Sequence, residues 1–149
     1  TGLKGTDTIH FMLYLAIAPN RRGDVTYGRI VVSYRPQKEE PHRTRLTVGG
    51  NLIQYSGDLS TPTAEISTAK LLFNSVVSTA GAKFATADIG NFYLGTPMEV
   101  YEYMFLPLNV IPDKIAQQYN LQKLTTNGKV YCKTRKGMYG LPQAGILAN

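Results

Sequence analysis

One stretch of helical periodicity stands alone among apolar runs of strand length. Thr61-Pro62 supplies an N-cap and then a proline at the first helical position, where its missing N–H costs nothing. Glu65 falls in the first turn, where the helix dipole favours a negative charge. Ile66, Ala69, Phe73, Val76 and Ala80 recur along one face, and Gly81 stops the run. The spacing therefore predicts one amphipathic helix whose task is to back a sheet.

The sheet's strands are predicted on both sides of it. Ile9–Ile17 and Arg29–Tyr34 are rich in apolar, aromatic and β-branched residues, with the turn Pro19–Asp24 between them. Arg43–Val48 alternates basic or polar with apolar residues, as a half-exposed strand does, and Gly49-Gly50-Asn51 ends it. Beyond the helix, Lys83–Ala87 reads as a short strand delivering Asp88. Glu99–Phe105 alternates with Glu99, Tyr101, Tyr103 and Phe105 on one side and Val100, Glu102 and Met104 on the other. Pro112–Tyr119 reads as a short helix. Asn127-Gly128 is a hairpin signal leading into the strand Lys129–Lys133. The texture changes near residue 81, dividing the chain into 1–80 and 81–149.

Composition narrows the function classes. The 149 residues carry 16 Lys and Arg against 10 Asp and Glu, a net charge of +6. A basic excess favours polyanions, nucleic acid first and an anionic membrane surface second. The longest strongly apolar run, Phe11–Ala18, is far short of the about 20 residues a bilayer span requires, so it is expected to be a buried strand. The lone Cys132 excludes an internal disulfide and a thiolate-rich zinc site, and His10 and His42 lie far from it in sequence. With no Asn-X-Ser/Thr sequon either, the chain is expected to be intracellular.

Four places could carry chemistry. Asp88, at the end of its short strand, is either a turn residue or a carboxylate suited to Mg²⁺, a hard cation that takes oxygen ligands. Phe92 and Tyr93 are either both core aromatics or, if the segment is extended, one points inward and the other outward. Taking Phe92 as the inward ring leaves Tyr93 to pack against a nucleotide sugar. Gly137-Met138-Tyr139-Gly140-Leu141-Pro142-Gln143 is a glycine-punctuated turn into a helix, where backbone could approach a ligand and Gln143 could bond a nucleotide; the plain reading is a helix start. Lys38, Arg43 and Arg45, with Arg21 and Arg22 on the preceding turn, are either a solvated strand edge or contacts for phosphate, which Arg pairs bidentately.

Taken together, these segments resemble a known family. Lys83–Thr96 resembles motif A of copia-type retroelement reverse transcriptases, Asp-X-X-Asn-Phe/Ala-Tyr/Phe-Leu. Lys136–Gly145 is similar to their Lys-Gly-Leu-Tyr-Gly-Leu-X-Gln segment, and Arg43–Val48, less specifically, to the fingers strand Lys-X-Arg-Leu-Val. The resemblance runs over roughly residues 25–149, in the family's order.

The resemblance implies an α+β fold, a right-hand polymerase's fingers (1–80) and partial palm (81–149), with an antiparallel sheet and packed helices. It implies a fragment of an RNA-directed DNA polymerase, embedded in a retroelement polyprotein, acting in the cytoplasm, a virus-like particle or the nucleus. Asp88 would be a catalytic metal ligand, with the Ile89 carbonyl as a second contact to Mg²⁺ or Mn²⁺. Tyr93 would select the sugar, Gln143 would contact the dNTP, and Arg43 and Arg45 would face triphosphate or an RNA/DNA template-primer. The family's Tyr/Phe-X-Asp-Asp motif has no counterpart, and no Asp-Asp pair occurs in the sequence. The chain is therefore expected to be a truncated fragment that is inactive by itself. The rival readings are a noncatalytic nucleic-acid-binding domain and a degenerate element remnant.

Overall fold

The computed structural model describes residues 6–60, 64–87 and 89–148. Its elements in chain order are β1 (Ile9–Met12), β2 (Thr26–Tyr34), β3 (His42–Val48), α1 (Ile66–Ser78), α2 (Phe92–Gly95), β4 (Pro97–Pro107), α3 (Asp113–Gln118), β5 (Thr125–Thr126), β6 (Lys129–Lys136) and α4 (Ala144–Leu147). The strands form one sheet in the order β1-β6-β4-β2-β3, with β5 also on β6. Every pairing is antiparallel except β2 with β4, which run parallel through Thr26 opposite Met104 and Tyr27 opposite Phe105. The fold is thus mixed α/β, with an antiparallel-rich sheet whose strands come from both sides of residue 81.

Strand alternation sets the core. On β4 the side carrying Glu102, Met104 and Leu106 turns inward, and on β6 the side carrying Val130, Cys132 and Thr134 does the same. The register sets Glu102 opposite Thr134, Met104 opposite Cys132 and Leu106 opposite Val130, so one row of side chains lies on one face. Ile111, Ala116 of α3, Leu121, Met138, Leu141 and Ala144 close over that row. Each large apolar side chain buried this way contributes about 1.5–3 kcal/mol. Burial also pushes the Cys132 thiol up to about 12, so it is an inert core residue.

The expected hairpin is present. Asn127 and Gly128 both take positive φ, 50° and 72°, the geometry that lets two residues join twisted antiparallel strands. The short helix expected over Pro112–Tyr119 forms as α3.

Four segments differ from the sequence expectation. The apolar run Ile9–Ile17 is not one strand: β1 ends at Met12 and Tyr14–Ala16 is a 3₁₀ turn. The reason is edge competition. β1 pairs with Tyr131–Thr134 of β6, and β5 pairs with the next two residues, Lys129 and Val130, so β1 has no ladder left to follow. Lys83–Ala87 forms no strand, and all five residues are exposed.

Residues 92–95 form a helical turn entered through Asn91 at φ 56°, so side chains there do not alternate. Phe92, the expected inward ring, is 39% exposed, whereas Tyr93 packs partly buried against the core.

Helix α1 forms, but it does not back the sheet. None of its residues is buried, Ile66 and Val77 are 74% and 86% exposed, and Phe73 meets Phe84 edge-on at 5.0 Å. The inner face of the sheet is already covered by α3, Leu121 and the 138–144 segment. The Thr61-Pro62 cap lies outside the described residues, but α1 starts later than expected: Glu65, at ψ 149°, is its extended N-cap and not a first-turn residue.

Candidate functional site

The glycine-punctuated turn is clamped on two sides, and glycine is required at both clamps. Val48 at the end of β3 donates its backbone N–H to the Tyr139 carbonyl at 2.8 Å. Gly140 lies against that same residue at φ +96°, so a Cβ there would fall on the Val48 carbonyl oxygen. On the other side Gly137 donates to the Thr96 carbonyl at 2.7 Å, and a Cβ there would fall on the Tyr93 carbonyl oxygen. The close approach that these glycines permit is therefore to the chain's own backbone.

That double clamp brings three sequence-distant segments around one cavity of about 310 Å³. Its wall includes Arg43 and Arg45 from β3, Asn91 and Leu94 from the α2 turn, and Tyr139 from the glycine turn. The Arg45 guanidinium lies over the Tyr139 ring, 5.5 Å to the centroid, and Tyr139 meets Tyr93 edge-on at 5.7 Å. Phe92 continues the ladder of rings at 5.9 Å from Tyr93. Stacking orients Arg45 without consuming its donors, and its buried Nε has no hydrogen-bond partner among the described residues. No described residue of this wall is acidic. Two guanidinium groups, an amide and hydroxyls are suited to an anionic oxygen-rich ligand such as phosphate.

The other expected site residues lie elsewhere. Gln143 is the N-cap of α4. It is only 4% exposed and lines a second cavity, of about 570 Å³. There its Nε2 donates to Glu102 Oε1 at 3.2 Å. Arg21 lines the same second cavity, where its Nε donates to Asp24 Oδ2 at 2.6 Å and its Nη2 to Glu102 Oε2 at 3.2 Å. Arg22 is turned back on its own loop, donating to the Ile17 and Leu15 carbonyls. The expected basic cluster therefore contributes only Arg43 and Arg45 to the smaller cavity.

Asp88 lies outside the described residues, and Ile89 is 64% exposed. Among the described residues, no group of three or more His, Cys, Asp or Glu is placed to hold a metal ion. Among the same residues, no helix is long and apolar enough to cross a membrane.

Two residues of consequence escaped the sequence reading. Tyr139 lay inside the glycine segment but carried no signal separating it from a core aromatic. Glu102 did carry one: a carboxylate on the same side of an alternating strand as Met104. In the fold, burial pushes its carboxyl above the usual glutamate range, while the Arg21 charge and the Gln143 hydrogen bond pull it back only in part. The chain matches no protein-family model, no curated protein and no solved structure.

Proposed function

We propose that the chain is a fingers and partial-palm fragment of a copia-like reverse transcriptase whose working surface is a phosphate-binding cavity for nucleotide or nucleic acid. The observation that carries this reading is convergence. Three segments chosen from sequence, Arg43–Val48, the turn after Asp88 and the glycine turn, meet at one cavity whose described wall carries no acidic residue. Resemblance in separate stretches does not require them to touch.

The roles follow from the geometry. Arg43 and Arg45 would take phosphate oxygens, with Tyr139 holding the Arg45 plane. Tyr93, which does not line the cavity, would act indirectly by holding Tyr139 through their edge contact, and Asn91 would offer an amide beside the sugar. Asp88 with Mg²⁺ or Mn²⁺ would belong to the complete enzyme's RNA-directed DNA synthesis. Two-metal attack of a primer hydroxyl places metals ~3.5–4 Å apart, and such a pair typically needs more than one protein carboxylate. Gln143, bonded to Glu102 in the other cavity, does not face this ligand.

A second reading shares the same cavity: a noncatalytic nucleic-acid-binding module. It is favoured by the lining itself, where Arg43, Arg45 and Tyr139 offer anion contacts that require no bound metal. Titrating a deoxynucleoside triphosphate into ¹⁵N-labelled chain tests the shared claim. Saturable shifts at Arg45, Asn91 and Tyr139 support it. Saturable shifts confined to the Gln143 cavity, or none at all, contradict it.

A further inference from the structure

We propose that the larger cavity, walled by Asp24, Glu99, Glu102 and Gln143, binds an alkyl guanidinium or alkylammonium group. The inference goes beyond the phosphate site and does not depend on it.

Charge is the first argument. The cavity is lined by three carboxylates, Asp24, Glu99 and Glu102, against one cation, Arg21. With all ionised, one positive against three negative leaves a local surplus of two negative charges on a chain whose net charge is +6. A cavity of that sign repels phosphate and attracts cations.

Gln143 supplies the second argument, independent of charge. Its side chain is 4% exposed. Ionised Glu102 can only accept, so in that form the bond at 3.2 Å sets Nε2 toward the carboxylate and leaves Oε1 as the outstanding acceptor. That Oε1 is buried and has no partner among the described residues. A buried acceptor without a donor is costly, and a ligand rich in N–H groups relieves it.

Arg21 shows that this acceptor set takes a guanidinium. It donates to Asp24, to Glu102 and, at 3.2 Å, to the Tyr101 carbonyl, and it lies over the Tyr103 ring at 5.4 Å. Glu99 and the Gln143 Oε1 remain for a second cation. Met98, Tyr55 and Leu147 give the same cavity an apolar wall for an alkyl stem.

The test follows the Gln143 side-chain amide and the Glu99 and Val100 backbone amides of ¹⁵N-labelled protein. The probes are n-butylguanidinium, n-pentanol and butyrate. Butylguanidinium is expected to shift those signals saturably, and the other two are not. Glu99→Gln, an exposed position, should weaken binding about threefold, the size of one exposed charge contact, and added salt should weaken it further. Gln143→Leu should abolish binding; should that variant unfold, Glu99→Gln decides. Equal binding of pentanol would reduce the cavity to an apolar crevice and overturn the proposal. So would an absence of guanidinium binding, or unaltered affinity in Glu99→Gln. Saturable shifts with a nucleoside triphosphate and none with guanidinium would reassign the cavity as a nucleotide subsite.

Discussion

The Val48 backbone N–H donates to the Tyr139 carbonyl at 2.8 Å, tying the end of β3 to a turn near the other end of the chain. That bond carries Arg45, three residues earlier on the strand, over the Tyr139 ring. Gly140 is what permits it. Gly140→Ala would put a side chain at φ +96° and onto the Val48 carbonyl. The backbone conformation alone costs about 1–3 kcal/mol, and the clash adds to it. Urea unfolding should show that loss. A Gly140→Ala protein of wild-type stability would mean that the clamp is not formed.

Tyr93 and Phe92 exchange the roles that simple alternation suggests. Tyr93→Ala removes a ring packed against both the core and Tyr139, and should cost about 2–3 kcal/mol, short of the ~3–5 kcal/mol of a fully buried aromatic. Phe92→Ala, at 39% exposure, should cost about 1 kcal/mol, mostly its contact with Tyr93. Chemical denaturation of the two variants orders them, and the reverse order would refute the helical turn at 92–95.

Glu102 makes stability depend on pH. Its folded carboxyl titrates above the ordinary glutamate range because burial outweighs the pull of Arg21 and Gln143. A raised carboxyl contributes stability that is fully present below the unfolded value and lost as pH rises through the folded one. Relative to Glu102→Gln, the wild type should therefore lose stability as pH climbs through and above the usual carboxylate range. A difference independent of pH across that window would show that Glu102 is not the group responsible.

Primer extension should be absent from the 149-residue chain. The sequence has no Asp-Asp pair to join Asp88. The assay supplies primed template, deoxynucleotides and Mg²⁺ or Mn²⁺. Template-dependent extension that Asp88→Ala abolishes would contradict the expectation.

Much of the sheet was legible because period-two patterns and turn chemistry are local. Arg43–Val48, the alternation through Glu102 and Met104, and the Asn127-Gly128 turn needed no tertiary information. What failed depended on neighbours. Nothing in Ile9–Ile17 announces that β5 occupies the edge of β6 beyond Tyr131. The stripe of α1 is a true helical signal, but periodicity does not say whether the sheet face is already covered. At the candidate site, Arg43 and Arg45 were readable as a pair, whereas the partner of Gln143 was not. A glutamine beside a proline says nothing about a carboxylate on a distant strand.

The central claim is that Arg43 and Arg45 form a phosphate-binding wall with Tyr139, and the salt dependence of single-stranded DNA binding tests it most directly. The logarithm of the binding constant should fall with log salt by about 0.7 per phosphate neutralised. Arg43→Ala with Arg45→Ala should weaken binding and flatten that slope by about one unit or slightly more. Arg21→Ala, whose guanidinium is already paired in the other cavity, should leave the slope nearly as it was. An unchanged slope and affinity in the double variant would contradict the account.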